Sequence, residues 1–290
     1  MNWIVEATTV KSCEAGAPSP AWAESAIPGR RPGGAAAFLR QSLALAEMEL
    51  RKLRHDPTEL MTRIIQPALW LGVFGQVFAH VRAIPTGELS YLDFMAPGVL
   101  AQSVLFIAIF YGIAVIWERD LGLVHKLLVS PVPRISLVLG KALSAGVRAM
   151  PQALMIYLLA WALGVKINWH LGALAGVTVA VLLGATTFST LSLLAACIVK
   201  TRERFMGIGQ ALTMPLFFAS NAVYPISIMP GWLKTLARIN PLTYEVDAMR
   251  ALMLESGRSL YGIGVDFVVL LLATIALMGL ASRLYPNLAR

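Results

Sequence analysis

Residues 167–199 read INWHLGALAGVTVAVLLGATTFSTLSLLAACIV, thirty-three positions between Lys166 and Lys200 without one Asp, Glu, Lys or Arg. A hydrocarbon layer about 30 Å thick is crossed by about 20 apolar residues of helix, so this stretch can span a bilayer. Five more uncharged gaps flank it, at 64–81 (18 residues), 94–117 (24), 149–165 (17), 205–233 (29) and 267–282 (16). All other gaps are far shorter. The chain is 57% hydrophobic and 14% charged, with a mean hydropathy of +0.69, whereas a soluble domain carries about 25% charged residues. The expected fold is therefore an all-α integral membrane protein with six transmembrane helices, at about 62–80, 94–117, 146–165, 171–199, 205–224 and 262–281. Together they take up roughly 120 residues, which leaves no room for a separate catalytic domain of ordinary size.

Outside the gaps, composition assigns the remaining segments. Residues 1–37 hold four prolines and four glycines among many alanines and read as a disordered tail. From 38 to 53, apolar Phe38, Leu39, Leu43, Leu45, Ala46, Met48, Leu50 and Leu53 crowd one side at helical spacing, with Arg40, Arg51 and Lys52 opposite. That is the form of an amphipathic helix lying in the membrane surface. Residues 225–261, punctuated by Pro225, Pro230 and Pro241, read as short helices dipping into the interface before the last span. Counting Lys and Arg on alternate sides gives 18 with the N-terminus and 6 opposite, so the positive-inside rule puts both termini in the cytoplasm. The net charge of +8 thus reports sidedness, with no nucleic acid implied. Cys13 and Cys197 are the only cysteines and offer no disulfide framework.

Catalytic signatures are missing. Gly140-Lys141 is followed by Ala142 and has Ile135 where a phosphate loop needs its first glycine. There is no HExxH and no GxSxG, and His55, His80, His125 and His170 are dispersed, so no metal site and no catalytic residue is expected. Ion coupling wants carboxylates inside the spans, and the gaps have none; Asp266, at the mouth of the sixth span, reads as an interfacial charge. The most organised charge lies in the loop ERDLGLVHKLLVSPVPRISLVLGK, residues 118–141. Charges mixed with leucines suit a docking surface; the alternative is a basic loop that only fixes topology.

Three passages carry a resemblance to a known family. RKLRHDPTELMTRIIQP (51–67) followed by YLDFMAPGVLAQSVLF (91–106), the loop 118–141 with its SPxxR turn and closing Gly-Lys, and ARINPLTYEVDAMRALML (237–254) together resemble the ABC-2 type permeases of the daunorubicin-resistance kind. The likeness covers roughly 38–285 and implies a non-enzymatic permease subunit of a drug exporter in the bacterial inner (plasma) membrane. It implies a second permease copy or homologue as partner, lipid around the pair, and a separate ABC ATPase that binds the ATP and Mg; this chain itself is expected to bind no cofactor. By the same likeness, Glu118, Arg119, Asp120, Leu123, Lys126, Leu127, Leu128 and Arg134 form a coupling element seated on the ATPase. The family offers no role for the tail.

Candidate path residues come from the residues themselves. Gln66, Gln76, Gln102 and Asn221 are the larger uncharged polar groups within the spans, and each must find a partner or line a wet cavity. Gln210, Met214, Phe217 and Asn221 fall at steps of four, three and four in the fifth span. The path set is Gln66, Gln76, Gln102, Gln210, Phe217 and Asn221, and without buried charge it suits an amphipathic drug-like, antibiotic or lipid cargo. A membrane enzyme or scaffold, or a secondary transporter, working without an ATPase is the rival reading.

Overall fold

The computed structural model describes residues 57–81, 84–87, 89–121, 134–199 and 201–285. The expected tail at 1–37, the interfacial helix at 38–53, and Leu123, Lys126, Leu127 and Leu128 lie outside these residues. The described chain is helical, with one isolated antiparallel bridge between Ile167 and Leu254. In order come α1 (Pro57–Leu69), a π-helical turn (Trp70–Gly75), α2 (Gln76–Val81), α3 (Tyr91–Asp120), α4 (Arg134–Ala162), α5 (Leu171–Ile198), α6 (Arg202–Phe218), a 3-10 turn (Ile226–Ile228), α7 (Gly231–Ile239), α8 (Pro241–Met253) and α9 (Ile263–Leu284).

Five segments are long and apolar enough to cross a membrane: Thr62–Val81, Tyr91–Asp120, Leu137–Ala162, Leu171–Ile198 and Ile263–Leu284. Their ends differ from the expected ones for local reasons. The helix expected from 94 begins at Tyr91, because Ser90 caps it by accepting the Asp93 N–H at 3.0 Å. The helix expected from 146 begins at Arg134, directly after Pro133, so Lys141 and Arg148 sit inside it. The segment expected at 205–224 is a helix of 17 residues, Arg202–Phe218, whose Thr201 cap accepts the Arg204 N–H. It stops early because Ser220 turns back onto the Phe217 carbonyl, and the apolar residues beyond it form a turn. Pro67 stands three residues before the first residue of the π turn, where a missing backbone bond relaxes the helix.

Helices α3 and α5 form the centre. α5 packs against α3, α4, α8 and α9, and α3 adds α4, α6 and α8. Glycines set the closest approaches. A Cβ on Gly98 of α3 would lie 2.3 Å from the Ala222 carbonyl oxygen, so the turn after α6 rests directly on the α3 backbone. On α5, Gly176 meets Leu252 and Gly184 meets Glu245, which lays α8 antiparallel along the first half of α5. At the other end Ser192 inserts beside Gly112, accepting its N–H at 3.1 Å and donating to the Ile109 carbonyl. By contrast Ile65, Leu69, Val73, Phe74, Val77 and Val81 on α1–α2, and Val268, Leu271, Leu272 and Ile275 on α9, are exposed.

Glu245 is wholly buried, and neither carboxyl oxygen has a hydrogen-bond partner among the described residues. Burial pushes its carboxyl well above the usual carboxylate range. A group that stays protonated in the fold and ionises in the unfolded chain loses stabilising effect as pH rises above about 4.3, at up to about 1.4 kcal/mol per pH unit. Glu245→Gln is expected to unfold at the same temperature as the parent or higher near pH 5, with the gap in its favour widening toward pH 8. Thermal unfolding in detergent across that range checks it, and a gap that narrows contradicts a neutral Glu245.

Candidate transport cavity and coupling end

Between α1, α3 and α4 lies a cavity of about 320 Å³, lined by Thr62, Arg63, Gln66 and Pro67 from α1, Gln102, Ser103, Phe106, Ile107 and Phe110 from α3, and Gln152 from α4. The sequence of α1 opens it. Pro67 has no N–H, so the carbonyl four residues back, that of Arg63, loses its helical donor. Gln152 replaces the donor with its side-chain amide, at 3.4 Å. The Gln152 oxygen is buried without a partner among the described residues. Phe106 and Phe110, one turn apart, stack with centroids 5.9 Å apart and supply the apolar wall. α3 thus presents Gln102, Phe106 and Phe110 along one wall, with Gln66 of α1 and Gln152 of α4 on the others, which suits a flat or chain-like molecule with few polar atoms.

Of the six expected path residues, the structure brings two together here, exposed Gln66 and buried Gln102. Gln76 is exposed on α2 and Gln210 is exposed on α6. Phe217 is buried, its ring edge-on to Trp70 at 5.8 Å. Asn221 lies beyond the end of α6, so the four positions taken as one helix face do not share a helix. In the amide orientation that satisfies both ends, Asn221 donates to the Thr243 carbonyl at 3.2 Å and accepts from Arg250 at 3.3 Å. Sequence reasoning missed Gln152, although it sits in the gap 149–165 and the argument used for Gln102 applies to it equally. It also missed the charges on α8. Asp247 and Arg250 are buried there, and Asp266, read as interfacial, is buried as well. The signal was available in NPLTYEVDAMRALM, where Leu242, Val246, Met249 and Met253 recur at helical spacing among those charges.

At the opposite end of α3 the charges expected to face an ATPase are paired within the chain. Glu118 pairs with Lys141 of α4. Asp120 accepts two bonds from Arg202 of α6, at 3.1 and 2.8 Å, and the guanidinium lies 3.8 Å over the Trp117 ring. Arg119 donates to the Val199 carbonyl at 3.3 Å and to Asp120 at 3.2 Å. The end of α3 is thereby tied to α4 and to the α5–α6 junction. Arg134 is the first residue of α4.

A family model described as ABC-2 type transporter matches residues 40–254, about three quarters of the chain. The chain belongs to the ABC-2 type transporter family. Among the relatives, a protein of Cyanophora paradoxa that carries the name transport permease ycf38 is 30% identical over 223 residues, covering 76% of each chain. The daunorubicin resistance ABC transporter permease protein DrrB1 of Streptomyces coeruleorubidus is 25% identical over 262 residues, covering 89% of this chain and 90% of its own. A doxorubicin resistance ABC transporter permease protein by name, DrrC of Mycobacterium tuberculosis, is 26% identical over 230 residues, 77% of this chain and 81% of its own. The ABC-2 match takes in α1 to α8, hence the whole lining of the cavity and the paired charges at the end of α3.

The cavity of this ABC-2 permease separates two kinds of substitution. Gln152→Met keeps the side-chain length and removes an unpaired oxygen but leaves the Arg63 carbonyl without its substitute donor, so it is expected to cost about 1–3 kcal/mol. Gln152→Glu removes the same donor and sets a carboxylate against that carbonyl, and is expected to cost more, about 3–5 kcal/mol. Denaturant or thermal unfolding in detergent compares the two; equal losses contradict the assigned contact.

Proposed function

We propose that the chain is the membrane-spanning permease subunit of an ATP-driven exporter that moves an amphipathic, drug-like, antibiotic or lipid cargo out of a bacterial cell. It crosses the plasma membrane six times with both termini in the cytoplasm. α6 is the fifth crossing, completed by the turn beyond Phe218, and α7 and α8 form a re-entrant hairpin on the outer side. The basic asymmetry of 18 to 6 and the antiparallel seating of α8 on α5 support this. Two copies, or one copy and a homologue, enclose the path, and the exposed apolar sides of α1–α2 and α6 are the surfaces available for that pairing.

The observation that carries the reading is the cavity of Gln66, Gln102 and Gln152 against Phe106 and Phe110. It has uncharged hydrogen-bonding groups and stacked rings, but Arg63 as its single ionisable lining residue. That chemistry fits a mostly apolar molecule with a few polar atoms and offers no carboxylate for ion coupling. Energy is then supplied by a separate ATPase that holds ATP and Mg, since the sequence has no phosphate loop of its own. Relatives named for daunorubicin and doxorubicin resistance support a cargo of this class.

Force enters through residues 118–134. Leu123, Leu127 and Leu128 seat in the ATPase, with Glu118, Arg119, Asp120, Lys126 and Arg134 around them. Each fully buried leucine contributes about 1.5–3 kcal/mol. The inward pairing of Glu118 with Lys141 and of Asp120 with Arg202 then passes movement of this loop to α4 and α6 together. Leu127→Asp with Leu128→Asp is expected to insert and bind cargo normally while export and cargo-stimulated ATP hydrolysis are lost. Dye efflux from vesicles that contain the full complex is the measurement, and a double variant exporting at the parental rate removes the loop from the mechanism.

A further inference from the structure

The connection between α8 and α9 holds one hydroxyl between two buried carboxyl groups. Ser259 Oγ lies 2.9 Å from Asp247 Oδ2 and 2.8 Å from Asp266 Oδ2, and it accepts the Gly262 N–H at 2.6 Å. A serine hydroxyl has one proton to donate and two lone pairs to accept with. It therefore satisfies one carboxylate, and with both ionised the second contact sets oxygen lone pairs against each other inside the protein. Asp247 is 1% exposed and Asp266 fully buried, so the contact is made largely between groups of the protein.

The surroundings decide which carboxyl is neutral. Asp247 Oδ2 also accepts the N–H groups of Leu260, at 2.6 Å, and Tyr261, at 3.2 Å, and the Arg250 guanidinium lies 3.9 Å from Oδ1. Everything around it favours the ion. Asp266 Oδ1 is buried with no hydrogen-bond partner among the described residues. We infer that Asp247, Ser259 and Asp266 form a site for one proton: Asp266 carries it and donates to Ser259 Oγ, which donates in turn to Asp247. All of the hydroxyl's hydrogen-bonding capacity is then used. The sum of Asp247, Asp266 and Arg250 becomes zero where it would otherwise be one negative charge.

Among the described residues, no cation forms an ion pair with Asp266. α8 presents Tyr244 and Arg250, and the connection presents Tyr261, with Arg258 exposed. α7 adds exposed Arg238 beside Tyr244; α5 carries no ionisable side chain except Cys197 near its far end, and α4 carries Tyr157, Arg148, whose guanidinium lies over the Tyr111 ring, and Lys141, paired with Glu118 at the other end of the bundle. The proton has a route, because Asp247 and Ser259 line a cavity of about 370 Å³ that reaches Thr86, Gly87 and Arg258. On the proposed orientation this cavity belongs to the outer face, and only the choice of compartment rests on that reading. Losing the proton leaves two carboxylates sharing one hydroxyl, which releases the α8–α9 connection from the first turn of α9.

Infrared spectra of the full chain in liposomes test the site without any ATPase or cargo. In a Glu245→Gln background, which silences the buried carboxyl on α8 that has no hydrogen-bond partner, a protonated-carboxyl carbonyl band is expected at about pH 5, lost as the pH is raised toward 8. It is expected to vanish in Asp266→Asn and to move to higher frequency in Ser259→Ala, where the acid proton loses its acceptor. Absence of the band from the Glu245→Gln chain overturns the proposal, as does its persistence in Asp266→Asn. Should Asp266→Asn fail to insert, Ser259→Ala decides alone, and a band at the parental frequency overturns it.

Discussion

The buried guanidinium of Arg250 is the interaction on which the α8 end of the molecule depends. A cation cannot remain inside a membrane protein unless groups of the protein replace its water. Here Nη2 donates to the Asn221 carbonyl at 2.7 Å and to the Phe94 carbonyl at 3.3 Å, the Phe94 ring lies 3.9 Å beneath it, and Asp247 supplies the countercharge. Those partners come from α3, from the turn beyond α6 and from α8 itself. Satisfying one charge therefore fixes how three separate segments meet. The geometry also explains Gly98. The turn that offers the Asn221 carbonyl approaches so closely that a Cβ on α3 would overlap the next residue's backbone.

The same logic recurs at the other end with a different outcome. Glu118, Asp120, Lys141 and Arg202 are partly exposed, so their pairs are worth little as stability. Their use is directional. The Arg202 guanidinium is held from one side by both contacts to Asp120 and from the other by the Trp117 ring, which keeps α6 in register with the end of α3. The paired charges at one end of α3 and the buried polar hub at the other leave the cavity between α1, α3 and α4 between them. There the missing N–H of Pro67 and the amide of Gln152 form the joint.

Most of the helical plan was legible because it rests on one constraint, that hydrocarbon excludes charge over about 20 residues. The constraint misplaces ends wherever a charge is satisfied by the protein. Asp93 does not end α3; it lies in the first turn of the helix, and its carboxylate accepts the Lys166 N–H at 3.2 Å. Lys141 does not delay α4, since Glu118 neutralises it. Apolar character likewise overestimates α6, where Ser220 and Asn221 turn the backbone while the residues stay apolar. The candidate site was legible where a lone amide in an apolar run demanded a partner, as with Gln66 and Gln102. On α8 the stripe of Leu242, Val246, Met249 and Met253 signalled a buried face, but the burial of Asp247 and Arg250 shows only once their partners on other segments are in place.

The central proposal is that a chain without a phosphate-loop motif forms a path of amides and phenyl rings and relies on a separate ATPase. The direct measurement is uptake of an amphipathic fluorescent dye into inside-out proteoliposomes, made with this chain alone and with an ABC ATPase subunit purified alongside it. The account predicts uptake only with both proteins and hydrolysable ATP, and none on imposing a proton or sodium gradient. Gradient-driven uptake by this chain alone would contradict it.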